Sequence, residues 1–220
     1  MQLNPELLPP RCPGINLSKI SEEHKDVGRA IRNYLSTLET EATNFVSAVA
    51  LFEHCIDSGS QDLYGRWTFI AGREGALTIR NFGKAMKELR STWGRIPEWR
   101  SMIDGESTIN AAWNSFELEF PFADRMRHVV AHPELYDNPK KKMGVDGENI
   151  VSSIHIGPNA TNVSIRNCFQ GSLFQATFEG AFVEYDLSIS TVNTINRLTT
   201  QAFSAFGEPD QFGSAIFPPF

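Results

Sequence analysis

The residues best suited to chemistry lie in one short stretch, Asp124-Arg-Met-Arg-His-Val-Val-Ala-His132-Pro133. Asp124, His128 and His132 recur every fourth residue, so a helix puts them on one face. Arg127 precedes His132 by five positions, about 140° round the helix axis. Arg127 and His132 converge only if the last turn widens, through a π-bulge or through the unwinding that Pro133 imposes. His132 then stands at a helix C-terminus, where the negative end of the dipole favours protonated imidazole. A histidine titrating near neutrality gives or takes a proton, and an arginine holds a phosphate or an oxyanion. That pair suits cleavage of a phosphodiester by its own 2′-hydroxyl, without a metal ion.

Other readings of the same residues exist. Arg127 and Asp124 can form surface ion pairs of little energetic weight. His132 before Pro133 can be a helix terminus and nothing more. His128 and His132 can ligate a metal, with His155, Asp124 or Glu134 as a third ligand. No further ligand stands at a typical spacing, so that reading ranks well below phosphodiester cleavage and no metal or cofactor is expected. Arg73 and Glu74 line the same site if their helix neighbours the cluster; a structural salt bridge is the plainer reading. His24 and His54 read as surface or boundary residues, and His155 as facing the polar side of a strand. Cys55 and Cys168 read as small buried hydrophobes.

The elements that would position the cluster follow from periodicity. Ser18 or Ser21 caps a first helix, in which Val27, Ile31, Leu35, Leu38, Ala42, Phe45, Val49, Phe52 and Ile56 recur at three-to-four spacing until Asp57-Ser-Gly59. A second helix spans 61–93, with Trp67, Ile70, Ala71, Leu77, Phe82, Met86 and Leu89 on its apolar side. Gly72, Gly75 and Gly83 weaken helix propensity there, which predicts close packing against a neighbour. Residues 94–105 connect to a third helix from Ser107 or Thr108. Pro121 interrupts it, and a fourth helix carrying the cluster restarts there and ends at His132.

After Pro139 the period switches to two. Val151–Ile156 and Val163–Ile165 read as strands. Turns at Gln170-Gly171 and Glu179-Gly180 join strands at 168–169, 173–178 and 182–187. A last helix, capped by Ser188 or Ser190, carries Val192, Ile195, Leu198, Phe203 and Phe206. The expected fold is mainly α with an α+β C-terminal part: an up-down bundle of about four or five helices, a small antiparallel sheet and a final helix. The expected divisions are 1–17 irregular, 18–138 bundle, 139–206 sheet plus helix, and 207–220 an irregular tail.

Composition bounds the function. The net charge of −6 argues against broad, charge-driven nucleic-acid binding. Charge is nevertheless uneven: residues 60–100 hold eight Lys/Arg against four Asp/Glu (Arg66, Arg73, Arg80, Lys84, Lys87, Arg90, Arg95 and Arg100 against Asp62, Glu74, Glu88 and Glu98). A solvated helix face explains such a stretch most simply. No apolar run suits a membrane helix, and the N-terminus does not read as a signal peptide. Three scattered cysteines match a reducing compartment, so a cytoplasmic location is expected and the sequons at Asn16, Asn159 and Asn162 carry little meaning.

Arg127-His128-Val-Val-Ala-His132 resembles the Arg-polar-x-x-x-His motif of HEPN domains, all-helical modules of many prokaryotic toxins and antiviral RNases. His128 fits the polar position of that motif. By helix order and motif the resemblance covers roughly residues 20–135, and the strands beyond depart from the minimal bundle. It implies a motif on the last main helix and a homodimer that pairs both copies into one RNase site. It also implies that Arg127 stabilises the phosphate, that His132 handles the proton, and that His128 supports them. RNA and a cognate antitoxin are the partners implied. A non-catalytic HEPN-like module that holds a protein or nucleotide is the alternative.

Overall fold

The computed structural model describes residues 5–58, 61–97, 105–131, 163–166 and 168–206. Its helices are α1 (Lys25–Asp57), α2 (Gln61–Trp93), α3 (Gly105–Glu119), α4 (Ala123–Ala131) and α5 (Ile189–Ser204). Its strands are β1 (Cys168–Gln170), β2 (Leu173–Phe178) and β3 (Ala181–Asp186). The fold is therefore mostly helical, with a small antiparallel sheet and a final helix. The strand expected at 151–156 and the tail lie outside the described residues.

Helix α1 forms where the spacing predicts, and Ile31, Leu35, Leu38, Phe45 and Val49 are all at most 1% exposed. Its start is later than expected. Short 3-10 turns at Leu17–Lys19 and Glu22–His24 precede it, and the Ser21 hydroxyl bonds the His24 ring instead of capping the helix. Ile56 and Ile70, expected on apolar faces, are more than half exposed. Ile70 stands about 100° from buried Ala71, which is enough to carry it off the buried stripe. Helix α3 starts at Gly105 rather than at Ser107 or Thr108.

The chain divides into two compact units made of discontinuous segments, and α1 and α2 contribute to both. Among the described residues, one unit holds 44–58, 61–80, 120–131, 163–166 and 168–191. The other holds 5–43, 81–97, 105–119 and 192–206.

The first unit contains the sheet, ordered β1-β2-β3 with both pairs antiparallel. Glu179 and Gly180 both have positive φ (48° and 76°), as a two-residue type I′ turn requires. Phe169, Phe174 and Tyr185 are lateral neighbours in the register and share one face. Phe169 meets Phe52 of α1 at 4.8 Å between ring centroids, and Tyr185 meets Phe45 at 6.4 Å. Aromatic pairs of this kind contribute about 0.5–1.5 kcal/mol each beyond area burial. Gly72 of α2 lets this cluster close. A Cβ there would lie 2.6 Å from Phe174 Cδ2 and 2.7 Å from Phe169 Cζ. Gly75 meets Tyr185 and Leu187 in the same way, and the Tyr185 hydroxyl donates to the Gly72 carbonyl.

On the opposite sheet face Gln175 and Thr177 are fully buried yet hydrogen-bonded, Gln175 to Glu184 at 3.0 Å and Thr177 to the Ile165 backbone at 2.9 Å. Their polar atoms are satisfied, so burying them carries no desolvation penalty for an unpaired group.

In the second unit Phe116 of α3 faces Phe82 at 5.9 Å, and Trp93 meets Phe206 edge-on at 4.8 Å. Asn196 donates to the Leu7 carbonyl at 2.9 Å and so ties the N-terminal segment to α5. No helix among the described residues is long and apolar enough to cross a membrane.

Candidate functional site

Helix α4 carries the cluster. Its Met126, Val129 and Val130 are at most 3% exposed, and it packs against β2 and β3. The remaining positions face outward: Asp124, Arg125 and His128 are exposed and Arg127 is half-buried. The spacing of the three buried residues fixes this orientation, because 126, 129 and 130 form one stripe of a short helix.

Two arginines of α2 reach α4, one through a hydrogen bond and one through a looser, exposed ion pair. The Arg73 Nη2 donates to the Val130 carbonyl at 2.9 Å. The Arg80 Nε lies 3.7 Å from Asp124 Oδ1. Seven residues separate the arginines, so they share a face of α2 about 10 Å apart along its axis. Asp124 and Val130 are spaced similarly along α4, in the reverse order. This stretch of α2 and α4 therefore run antiparallel, with Arg127 between the two contact points. The Val130 contact has a local cause: Val130 lies in the last turn of α4, where backbone carbonyls lack internal donors. A guanidinium at Val130 supplies a donor and places a cation at the negative end of the dipole.

The expected site residues sort as follows. Arg73 reaches the cluster helix through its backbone rather than through a salt bridge with Glu74. Both Arg73 and Glu74 are exposed, because Gly72 and Gly75 take the packed positions on either side of them. Asp124 pairs with Arg80, a residue absent from the expected set. The His128 ring stacks on Phe178 with 5.6 Å between centroids and 8° between planes. Helix α4 stays α-helical to Ala131, so the described turn shows no widening. His132, with His155 and Glu134, lies outside the described residues. Among the described residues no group of three or more His, Cys, Asp or Glu is arranged to hold a metal ion. Sequence reasoning missed Arg80 and Phe178. The seven-residue step from Arg73 was a usable signal for Arg80; the Phe178 stack had none.

Burial pushes the Tyr185 phenol well above its usual 10.0, with Glu74 adding to the rise and a backbone hydrogen bond from Ala76 opposing it. Tyr185 is therefore a neutral structural donor under α2. Chemically, the α4 surface offers guanidinium groups and an imidazole, an arrangement suited to anions.

No family model matches this chain, and neither curated proteins nor solved structures give a match.

Proposed function

We propose that the C-terminal turn of α4 is the phosphate-handling centre of a HEPN-like, metal-independent endoribonuclease. It acts as a cytoplasmic homodimer, in toxin–antitoxin or phage-defence biology. The observation that supports this most is the Arg73 bond to the Val130 carbonyl, two residues before His132. A cation held there offsets the negative end of the α4 dipole, and a general base at His132 works as the neutral imidazole. In the proposed reaction His132 takes the proton of a ribose 2′-hydroxyl. The 2′-oxygen attacks the adjacent phosphorus, the bond from phosphorus to the 5′-oxygen breaks, and that oxygen takes a proton from water. Arg127 holds the phosphoryl oxygens, and Phe178 orients His128 beside them. The products are a 2′,3′-cyclic phosphate and a 5′-hydroxyl, and end-group analysis of cleaved RNA tests this directly. Fragments ending in 5′-phosphate would exclude the 2′-hydroxyl route.

One observation favours a second reading. The sheet packs on the motif helix and His128 is committed to Phe178, which suits a non-catalytic HEPN-like module that holds a protein or nucleotide. Intact RNA after incubation with a stable homodimer would favour that reading.

A further inference from the structure

Residues of late α2 and early α3 line a cleft of about 470 Å³. Lys87 and Arg90 line it from α2, and Glu106 and Asn110 from α3. Trp93 and Ile109, both at most 2% exposed, give it an apolar base. Lys87 and Arg90 stand three apart, so they are neighbours on one helix face and repel each other. The Arg90 Nε donates to Asn110 Oδ1 at 2.6 Å. That acceptor is neutral: it orients the guanidinium, leaves its charge uncancelled and leaves both Nη nitrogens without a hydrogen bond among the described residues. The side chains of Lys87 and Glu106 likewise take part in no ion pair or hydrogen bond among the described residues. Cations and a carboxylate thus line one cleft without neutralising each other.

We propose that this cleft binds a small phosphate monoester bearing free hydroxyls, of the sugar-phosphate or nucleoside-monophosphate class. The phosphate sits on Lys87 and Arg90, whose point charge and planar fork suit a dianion. The Glu106 carboxylate accepts hydrogen bonds from the hydroxyls. Bare phosphate leaves Glu106 unused, and a long polyanion brings further negative charge against it. The volume lies within the usual range for small-molecule sites, roughly 300–1,000 Å³. This inference stands apart from RNA cleavage and does not depend on it.

Calorimetric titration of the full chain with ribose 5-phosphate, AMP, inorganic phosphate and glutamate tests it. The first two separate a sugar-phosphate site from a nucleotide site. At least one of them is expected to bind, with inorganic phosphate about tenfold weaker or more. Lys87→Ala and Arg90→Ala should each weaken that binding by about 10–100-fold, with Arg90→Lys in between. Glu106→Ala should abolish the preference over inorganic phosphate while phosphate still binds. All three side chains are exposed, and unchanged circular dichroism checks that each variant folds. No saturable binding of either phosphate ester at millimolar concentration, binding indifferent to Arg90→Ala, or tighter binding of glutamate would overturn the proposal.

Discussion

The charged turn of α4 and the α2–α3 cleft use similar side chains in opposite ways. At α4 the fold itself occupies them: Arg73 holds a helix carbonyl, Arg80 meets Asp124, and His128 lies on Phe178. In the cleft Arg90 is only oriented by a neutral amide, and Lys87 and Glu106 have no protein partner among the described residues. The lesson is that a motif found by spacing can be built from residues that also carry structure. Its variants must then be read for stability as well as for activity. Charges left uncommitted by the fold are cleaner reporters of a ligand.

The largest expected effect is on the sheet beneath α4. Phe174→Ala removes a fully buried ring that touches Phe169, Tyr185 and the Gly72 surface, and should cost about 3–5 kcal/mol in chemical denaturation. A loss below about 1 kcal/mol would mean that the aromatic cluster does not hold this unit together. Next comes Arg73→Ala, expected to cost about 1 kcal/mol by leaving the end of α4 short of a donor. Lys87→Ala, its counterpart in the cleft, should change stability by less than about 0.5 kcal/mol. Equal costs for the two would erase the contrast between committed and uncommitted charges.

A finer comparison uses pH, because burial keeps acidic side chains neutral in both units: the half-buried Cys12 thiol in one, and the Cys55 and Cys168 thiols and the Tyr185 phenol in the other. Burial, with a smaller push from Glu39 and a partial offset from Arg32, raises the Cys12 thiol from 9.0 to about 12. Burial raises Tyr185 well above 10.0. Both folded values exceed the unfolded ones, so the fold prefers the protonated forms. Their stabilisation is complete below the unfolded pKa and is lost as pH rises toward the folded one. Melting temperature should therefore fall above pH 9 through Cys12, Cys55 and Cys168 and above pH 10 through Tyr185. Cys12→Ser should make the first decline shallower, with Cys55 and Cys168 supplying the remainder. Tyr185→Phe should flatten the second, at a cost near neutrality of about 1 kcal/mol for the lost hydrogen bond to Gly72. Unchanged alkaline profiles in both variants would refute this assignment.

Much of the fold was legible in the sequence. The three-to-four spacing marks α1 and α2, the two hairpin turns mark β1 to β3, and Gly72 and Gly75 signal close packing that aromatic side chains of the sheet supply. Local pattern could not show that Tyr185 reaches Gly72 or that Arg73 reaches Val130, since these pairs are 113 and 57 residues apart. Periodicity also misplaced Ile56 and Ile70, because it shows that a stripe exists but not how wide a neighbour covers it. The discontinuous units carry no local signal, since α1 and α2 run through both without a break in pattern. In the candidate site the residue types on α4 were readable. Their second roles in the fold were not, because each depends on a partner distant in sequence.

The central claim is RNA cleavage by the α4 turn without metal, and incubating purified protein with a panel of RNAs in EDTA tests it most directly. The account predicts cleavage by the wild type that falls by about 100-fold or more in Arg127→Ala and in His132→Ala, with both variants still folded and dimeric. Absence of cleavage across the panel, or cleavage that neither substitution alters, would contradict it.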